Sequence, residues 1–194
     1  LSVPASLGLI IASKEIVNGL FGYGSFTSKD VEMTSDALRF FGYGVIAFAL
    51  VKILANFFFA RDNTTTPFYI SSFIVFLNVI ISVSFFSKIG FLIIPIATSI
   101  STWIGVLIFL YLLVKNNYLF LQKKLFYNTL KILISSSIMA SVLFYFLNKY
   151  SSYLEYTNSL KSVYLLIIVG FAGIVYLLSC YLFGLLKIKT YKTN

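Results

Sequence analysis

Histidine is absent from these 194 residues, and cysteine occurs once. Without histidine the chain lacks the commonest general base and the commonest metal ligand. The single cysteine, Cys180, rules out a disulfide within the chain and reads as a small buried hydrophobe. Charge is also scarce. Asp, Glu, Lys and Arg make up 11% of residues, against roughly 25% in soluble domains. No cluster of acids and no nucleophile–base spacing stands out, so an enzyme is not expected, and neither is a metal site.

What the chain has instead is apolar length. Hydrophobic residues make up 59%, and the mean hydropathy is +0.94. A helix needs about 20 mostly apolar residues to cross the roughly 30 Å hydrocarbon core of a bilayer. The windows Ser2–Phe21, Ala37–Ala60, Pro67–Phe86, Phe91–Val114, Phe126–Leu147 and Val163–Leu186 each reach that length. They are continuous rather than alternating, which favours helices over a barrel, and in lipid only those two structures satisfy the backbone. The expected fold is all-α and membrane-embedded, with six transmembrane helices. The chain opens on apolar residues with no charged leader and no small-residue cleavage site. It therefore reads as the later part of a longer protein rather than as a signal peptide.

The net charge of +9 belongs to loops. If the first span runs outward, the inner segments carry Arg61, Lys115, Lys123, Lys124, Lys131, Lys187, Lys189 and Lys192, and the outer ones Lys29, Arg39, Lys88, Lys149 and Lys161. Eight against five places both ends inside under the positive-inside rule. Basic loops of this kind meet anionic lipid headgroups. A nucleic-acid partner would need a basic face on a soluble domain, and none is present.

Local signals mark the connections. Gly22 and Gly24, flanked by Phe21, Tyr23 and Phe26, suit a tight interfacial turn. Thr34 or Ser35 would cap the second span, with Glu32 and Asp36 favourable at its N-terminus. Arg61-Asp62-Asn63-Thr64-Thr65-Thr66-Pro67 reads as a helix stop and restart, with Thr66 as N-cap and Pro67 first in the helix. Only Ser87-Lys88-Ile89-Gly90 separates the third span from the fourth, so the two should form a tight antiparallel hairpin. Ala97, Ser101 and Gly105 form a small-residue stripe suited to close helix packing. The linker Lys115–Tyr127 mixes cations with aromatic residues and suits the inner membrane surface. The fifth span offers Ser135, Ser136, Ser137, Ala140 and Ser141, and the sixth Gly170, Ala172, Gly173 and Ser179. These small surfaces either pack together or line a groove open to lipid.

A charge at the centre of a membrane helix costs about 3 kcal/mol on insertion scales. Lys14 and Glu15 lie near enough to Phe21 to snorkel outward. Lys52 is deeper, with fifteen residues of its span before it and eight after. It either snorkels inward or faces a water-filled cavity and meets an anionic ligand. Asn56, one turn below, and Asn78, mid-helix in the third span, are amides that in a bilayer hydrogen-bond to a neighbouring helix.

Four strings, in this order and spacing, carry a resemblance: Val3-Pro4-Ala5 opening a span; Leu20-Phe21-Gly22-Tyr23-Gly24-Ser25-Phe26 after it; Ala37-Leu38 leading to Lys52-Ile53-Leu54; and Phe58-Phe59-Ala60-Arg61-Asp62-Asn63-Thr64-Thr65-Thr66-Pro67. Together they resemble the lipid II flippase family, MurJ (also called MviN), of the same superfamily as the MATE exporters. Beyond Phe68 the likeness rests on Ile96-Ala97-Thr98-Ser99 and on helix count.

The resemblance implies a fourteen-helix, two-lobed transporter of the bacterial inner membrane, of which this chain is similar to the last six helices. Its cargo would be a polyprenyl-pyrophosphate-linked saccharide, the peptidoglycan precursor, moved between leaflets by alternating access. Residues 1–114 would be four helices of the C-terminal lobe. Residues 115–194 would be a cytoplasmic linker and the two helices whose groove takes the lipid tail. Lys52, Asn56 and Asn78 are then candidate substrate contacts, and Arg61, Asp62, Thr66 and Pro67 a cytoplasmic gate. Besides cargo and membrane lipid, the expected partner is the missing N-terminal lobe. No cofactor is called for, and ion coupling is left open. The family's cavity arginines and acid fall outside the segments present. Lys14-Glu15 replaces what is often a small residue or proline, and Phe59 a common Tyr. A polysaccharide or multidrug exporter of the same superfamily is the alternative, although a drug antiporter would have only Glu15 as a membrane acid.

Overall fold

The computed structural model describes residues 1–118 and 123–185, all helix, turn or loop. The tail cations Lys187, Lys189 and Lys192, the last residue of the sixth window and the middle of the linker lie outside the described residues, as does the side chain of Lys123. Seven α-helices follow in chain order among the described residues: α1 (Ser2–Ile11), α2 (Ser13–Phe21), α3 (Ser28–Phe59), α4 (Thr65–Ile89), α5 (Ile93–Lys115), α6 (Lys123–Lys149) and α7 (Lys161–Leu182). Short 3₁₀ turns occupy Gly90–Leu92 and Ser151–Leu154.

The expected first span is not one helix. It breaks at Ala12 (φ −102°, ψ 16°), and α2 leaves α1 at 77°. No proline stands there. The break falls where two small residues, Ala12 and Ser13, are fully enclosed. Its consequence is electrostatic: it swings Lys14 and Glu15 out of the apolar line of α1 into a polar cavity walled by α3 and the Ser151–Tyr156 segment. A straight helix would hold both charges at membrane depth, where they are costly.

The second span is longer than expected, because Ser28–Asp36 forms the opening turns of α3 rather than a loop. Thr27, not Thr34 or Ser35, is its cap. The Asp30 amide donates to Thr27 Oγ1 (3.3 Å), and the Thr27 amide donates to Asp30 Oδ2 (2.8 Å), a complete capping box. At 1.5 Å per residue α3 is about 48 Å long and overruns the hydrocarbon core.

The helix restart is also shifted. α4 begins at Thr65 behind Thr64, so Thr66 and Pro67 lie inside its first turn. Asn63 does the capping instead: its Oδ1 accepts from the Thr66 amide and its Nδ2 donates to Thr66 Oγ1, both at 3.0 Å. An asparagine side chain can outcompete a threonine hydroxyl at this position.

By length and composition four helical stretches can cross a membrane, or five with the bent pair α1–α2. The stretch Thr65–Lys115 counts once in that total but contains α4 and α5 folded back on each other. Gly90, at φ 74°, makes the reversal. Asn78 of α4 bonds Thr98 of α5, and Ile74 packs where Gly105 leaves room. These pairings run in opposite directions along the chain, as in the expected hairpin. Ala97, Ser101 and Gly105 are all buried at helix contacts.

Two apolar cores result. One joins Ala47, Leu54, Phe58, Ile70, Val106, Phe109 and Leu113 of α3, α4 and α5. The other joins Ala12 to Met139, Leu143 and Leu147 of α6 and to Leu165, Ile168, Ala172 and Tyr176 of α7. α1 packs on both α3 and α6 and so bridges them. Its Ser6 hydroxyl donates 2.7 Å to the carbonyl of Gly42.

Candidate functional site

Gly170, Ala172 and Gly173 of the sixth span line a groove, whereas Ser135, Ser136, Ser137, Ala140 and Ser141 of the fifth do not. Through Leu143, Leu147 and Leu165 α6 and α7 share a core. Beside that core they diverge and, with α1, enclose an open groove of about 740 Å³. Pro4, Gly8 and Leu9 line one wall, Met139 and Leu143 the second, and Gly170, Gly173 and Leu177 the third. Ala5, Ala12 and Ala172 keep it wide. A Cβ added at Gly8, Gly170 or Gly173 would meet nothing within 4 Å, so these glycines border empty space rather than a neighbouring helix. The groove can hold a slender apolar chain. Lipid tails are as apolar as its walls, so it contributes shape and direction more than affinity.

Polar contacts gather where α2 and its exit turn meet the start of α7. Lys161, expected on a solvated loop, is 1% exposed. Its ammonium donates to the carbonyls of Gly22 (2.6 Å) and Tyr156 (2.7 Å). It also lies 4.3 Å from the Tyr23 ring centre and 4.5 Å from that of Tyr156. Two carbonyls and two aromatic faces replace the hydration of the cation, and the Gly22 carbonyl lies at the negative end of α2. Around it, Ser162 Oγ donates to Gly19 O (2.6 Å) and accepts from the Tyr23 hydroxyl (2.6 Å). Tyr156 Oη donates to Phe26 O (2.6 Å), and Asn18 Nδ2 to Leu154 O (2.7 Å). These bonds tie α2 and its exit turn to the start of α7. At the other end of the groove helices, Lys131 Nζ donates to Phe183 O (2.9 Å). Sequence reading counted Lys161 as topology. The available signal was its spacing from Tyr156 within a polar connection, but the partner Tyr23 is far away in sequence.

The candidate residues fall in three places. Lys52 and Asn56 lie one turn apart on α3, both exposed, on a face outside the groove. A lysine at that depth needs water or protein polar groups nearby. Asn78 is half-buried. Its Nδ2 donates 2.7 Å to Thr98 Oγ1, which donates on to Ile94 O (2.7 Å), as expected of an amide between helices. Arg61 folds back onto its own turn, donating 2.7 Å to Phe57 O, and its guanidinium sits 4.1 Å over the Tyr118 ring. Asp62 takes a left-handed conformation (φ 56°) and Pro67 is buried. The α3–α4 turn is thereby fastened to the end of α5. The structure does not bring Lys52, Asn78 and Arg61 into one pocket.

Helices of membrane-spanning length, a broken first span and an apolar groove between helices define a multi-pass α-helical membrane protein. A family model described as lipid II flippase MurJ matches residues 1–166. A probable lipid II flippase MurJ of Rickettsia prowazekii is 32% identical over 100% of this chain and 38% of its own length. That of Buchnera aphidicola from Schizaphis graminum is 30% identical over 95% and 36%, and that of Thermotoga maritima 32% identical over 74% and 28%. Among solved structures, lipid II flippase MurJ in an inward closed conformation superposes with a TM-score of 0.73 at 27% identity, covering 94% of this chain and 36% of that one. The chain belongs to the lipid II flippase MurJ family. It spans less than two-fifths of the length of these relatives.

Proposed function

We propose that this chain is the C-terminal part of a lipid II flippase of the bacterial inner membrane, and that it helps carry the lipid-linked peptidoglycan precursor from the inner to the outer leaflet by alternating access. The observation that carries this reading is the groove between α1, α6 and α7, apolar throughout and lined by glycines whose side-chain space is vacant. A polyprenyl tail can slide along it without leaving an apolar environment, while the pyrophosphate and sugars need water and cations elsewhere. Transport of this kind asks for guidance of the tail and not for tight binding, which suits a groove that gains little over lipid.

Lys52 and Asn56 then border the hydrated cavity completed by the N-terminal lobe, where the ammonium meets the pyrophosphate. Asn78 sets the α4–α5 pairing beside that path. The turn Arg61–Pro67, fastened through Tyr118, acts as a cytoplasmic gate.

The test uses the full-length protein in cells depleted of their own flippase. Gly170→Leu combined with Gly173→Leu fills the groove from positions with room for the side chains. The expected result is loss of rescue at unchanged membrane levels. Full rescue by the filled-groove variant would overturn the tail-path reading. Rescue by Lys52→Glu would remove Lys52 from the cargo path. Export of a drug or a different saccharide by the intact protein, with no movement of the peptidoglycan precursor, would favour the exporter alternative.

A further inference from the structure

Five aromatic rings of α6, α7 and the turn between them form an unbroken chain. Phe171 of α7 meets Phe146 of α6 edge to face (5.3 Å between ring centres), and Phe146 lies parallel to Tyr150 (6.0 Å). Tyr150 meets Tyr153 of the 3₁₀ turn (6.1 Å), which returns to Tyr164 of α7 (5.0 Å). Every spacing falls in the range of attractive ring pairs. The two ends of the chain lie two turns apart on α7, about 10 Å along its axis. The rings therefore close on the helix. They border a cavity of about 450 Å³, to which α7 adds Ile167 and Ile168 between the two ends. This bowl is open, with Tyr153 45%, Ile167 62% and Phe171 47% exposed. It uses the face of α7 that carries Tyr164, Ile168 and Phe171, whereas Gly170, Gly173 and Leu177 turn to the apolar groove on the other side.

Aromatic residues at a membrane surface often serve as anchors. Anchors project from a helix, whereas these rings enclose a volume. Water does not settle in an apolar space of this kind, so an apolar chain is its natural content. The polarity of the walls is also ordered. Tyr150, Tyr153 and Tyr164 stand at the connection between α6 and α7, and Phe146 and Phe171 lie deeper along the two helices. Tyr23 and Tyr156 spend their hydroxyls on Ser162 and Phe26. Those of Tyr150, Tyr153 and Tyr164 bond no protein group among the described residues. Lys149 is exposed at the same end, its ammonium 5.6 Å from the Tyr145 ring centre and 5.8 Å from that of Tyr150. Glu155, the acid of the connection, lines a separate cavity beside α2 and α3. A cation and three hydroxyls thus mark the surface end of the bowl, and rings with two isoleucines mark the deep end. An amphiphile with an anionic head has the same order along the same axis.

We propose that the bowl binds an anionic phospholipid of the leaflet at the Lys149 end, with its phosphate on Lys149 and the tyrosine hydroxyls and the upper part of one acyl chain between the rings. A headgroup amine would meet Lys149 as a like charge, which selects phosphatidylglycerol over a zwitterionic lipid. A polyprenyl tail is too long for a bowl of about 10 Å. The inference goes beyond the flippase reading and does not rest on it.

The experiment uses the full-length protein in vesicles of equal parts phosphatidylglycerol and phosphatidylcholine. In each of two preparations one lipid carries a photoactivated diazirine midway along its acyl chain, and adducts are mapped by mass spectrometry. Adducts on the segments holding Phe146–Tyr153 and Tyr164–Phe171 should be about fivefold more abundant with phosphatidylglycerol, the preference one lysine confers near a membrane surface. Lys149→Gln should remove that preference. Ile167→Trp, which fills the bowl from an exposed position, should remove it with Lys149 intact. Equal labelling by the two lipids in the unaltered protein would overturn the proposal, and that comparison needs no variant. A preference that survives Ile167→Trp would overturn it too, because Lys149 would then attract lipid without a seat in the bowl. So would a complete lack of adducts, which would mean that another part of the full-length protein covers these rings. Displacement of the probe by a polyprenyl pyrophosphate would assign the bowl to cargo and overturn the choice of phospholipid.

Discussion

Between α3, α4 and α5, glycine marks the places where helices touch. A Cβ at Gly44 would lie 2.7 Å from Ser99 Oγ, and one at Gly105 would run into Ile74. Along the α1–α6–α7 groove, Gly8, Gly170 and Gly173 have nothing within 4 Å of the same position. Polar groups divide in the same way. In the α3–α5 half, Ser99 donates to Phe40 O (2.7 Å), the Trp103 indole to Tyr43 O (3.0 Å) and Asn78 to Thr98, so hydroxyl, indole and amide stitch helix to helix. In the groove half the helix-to-helix bonds gather at the two ends, around Lys161 and Lys131, and the walls between them are apolar. A membrane bundle has no hydrophobic drive to hold its helices together. One half therefore relies on close packing and hydrogen bonds. The other is fastened at its ends and left open in the middle.

The strongest way to break this contrast is at the lysine clamp. Lys161→Met should strand the carbonyls of Gly22 and Tyr156 in a buried site and cost about 3 kcal/mol, read as a shift in reversible unfolding of the full-length protein in mixed micelles. A variant as stable as the parent would mean that the groove half does not depend on this fastening. The glycine contrast comes next. Gly105→Val should cost about 2 kcal/mol through overpacking against Ile74, whereas Gly173→Val should stay within about 0.5 kcal/mol, as substitutions facing open space do. Equal costs at both positions would erase the distinction.

Smaller effects sharpen it. Asn78→Leu should cost about 0.6 kcal/mol, the average for a hydrogen bond between membrane helices, because Thr98 keeps its bond to Ile94 O. Thr27→Ala should loosen the start of α3 by about 1 kcal/mol. The smallest effect is pH-dependent. The Thr27 side chain, then the Thr27 amide, and then the Lys29 charge hold the Asp30 carboxyl below its ordinary 3.8. A carboxyl with a depressed pKa supports the fold above its unfolded value and loses that support as pH falls through the folded one. Amide protection at Val31–Met33, taken relative to the intrinsic exchange rate at each pH, should therefore fall below about pH 4 and hold steady between pH 5 and 7, and Thr27→Ala should remove the pH dependence.

Much of this was readable along the chain. The long apolar windows forced helices, because an unpaired backbone is not tolerated in lipid. Ser87–Gly90 announced a hairpin, and the stripe Ala97, Ser101 and Gly105 announced a close contact; both depend on near neighbours in sequence. Caps were legible in kind but misplaced. Asn63 and Thr64 lie two or three residues from the cap expected at Thr66, whereas Thr27 lies two helical turns before those expected at Thr34 and Ser35, in segments where several residues can accept from a helix amide and packing selects one.

The break at Ala12 left no local mark, since no proline enforces it. It exists because α1 is held by α3 and α6 while α2 is drawn toward α7 through Lys161, Ser162 and Asn18. The ammonium of Lys161 looked like one more topogenic charge because its acceptors, Gly22 O and the Tyr23 ring, lie some 140 positions upstream. The aromatic bowl beside Lys149 became visible only once α6, α7 and the turn between them brought its five rings together.

Composition and spacing, acting through the demand of lipid that backbone groups pair locally, determined that the chain is a membrane helix bundle with a tight α4–α5 hairpin, and pointed to its family. Only the tertiary structure decided where the first span bends, which glycines touch a neighbour and which face open space, and which lysine is buried. Those outcomes depend on contacts between segments far apart in sequence, and no periodicity within a segment encodes them.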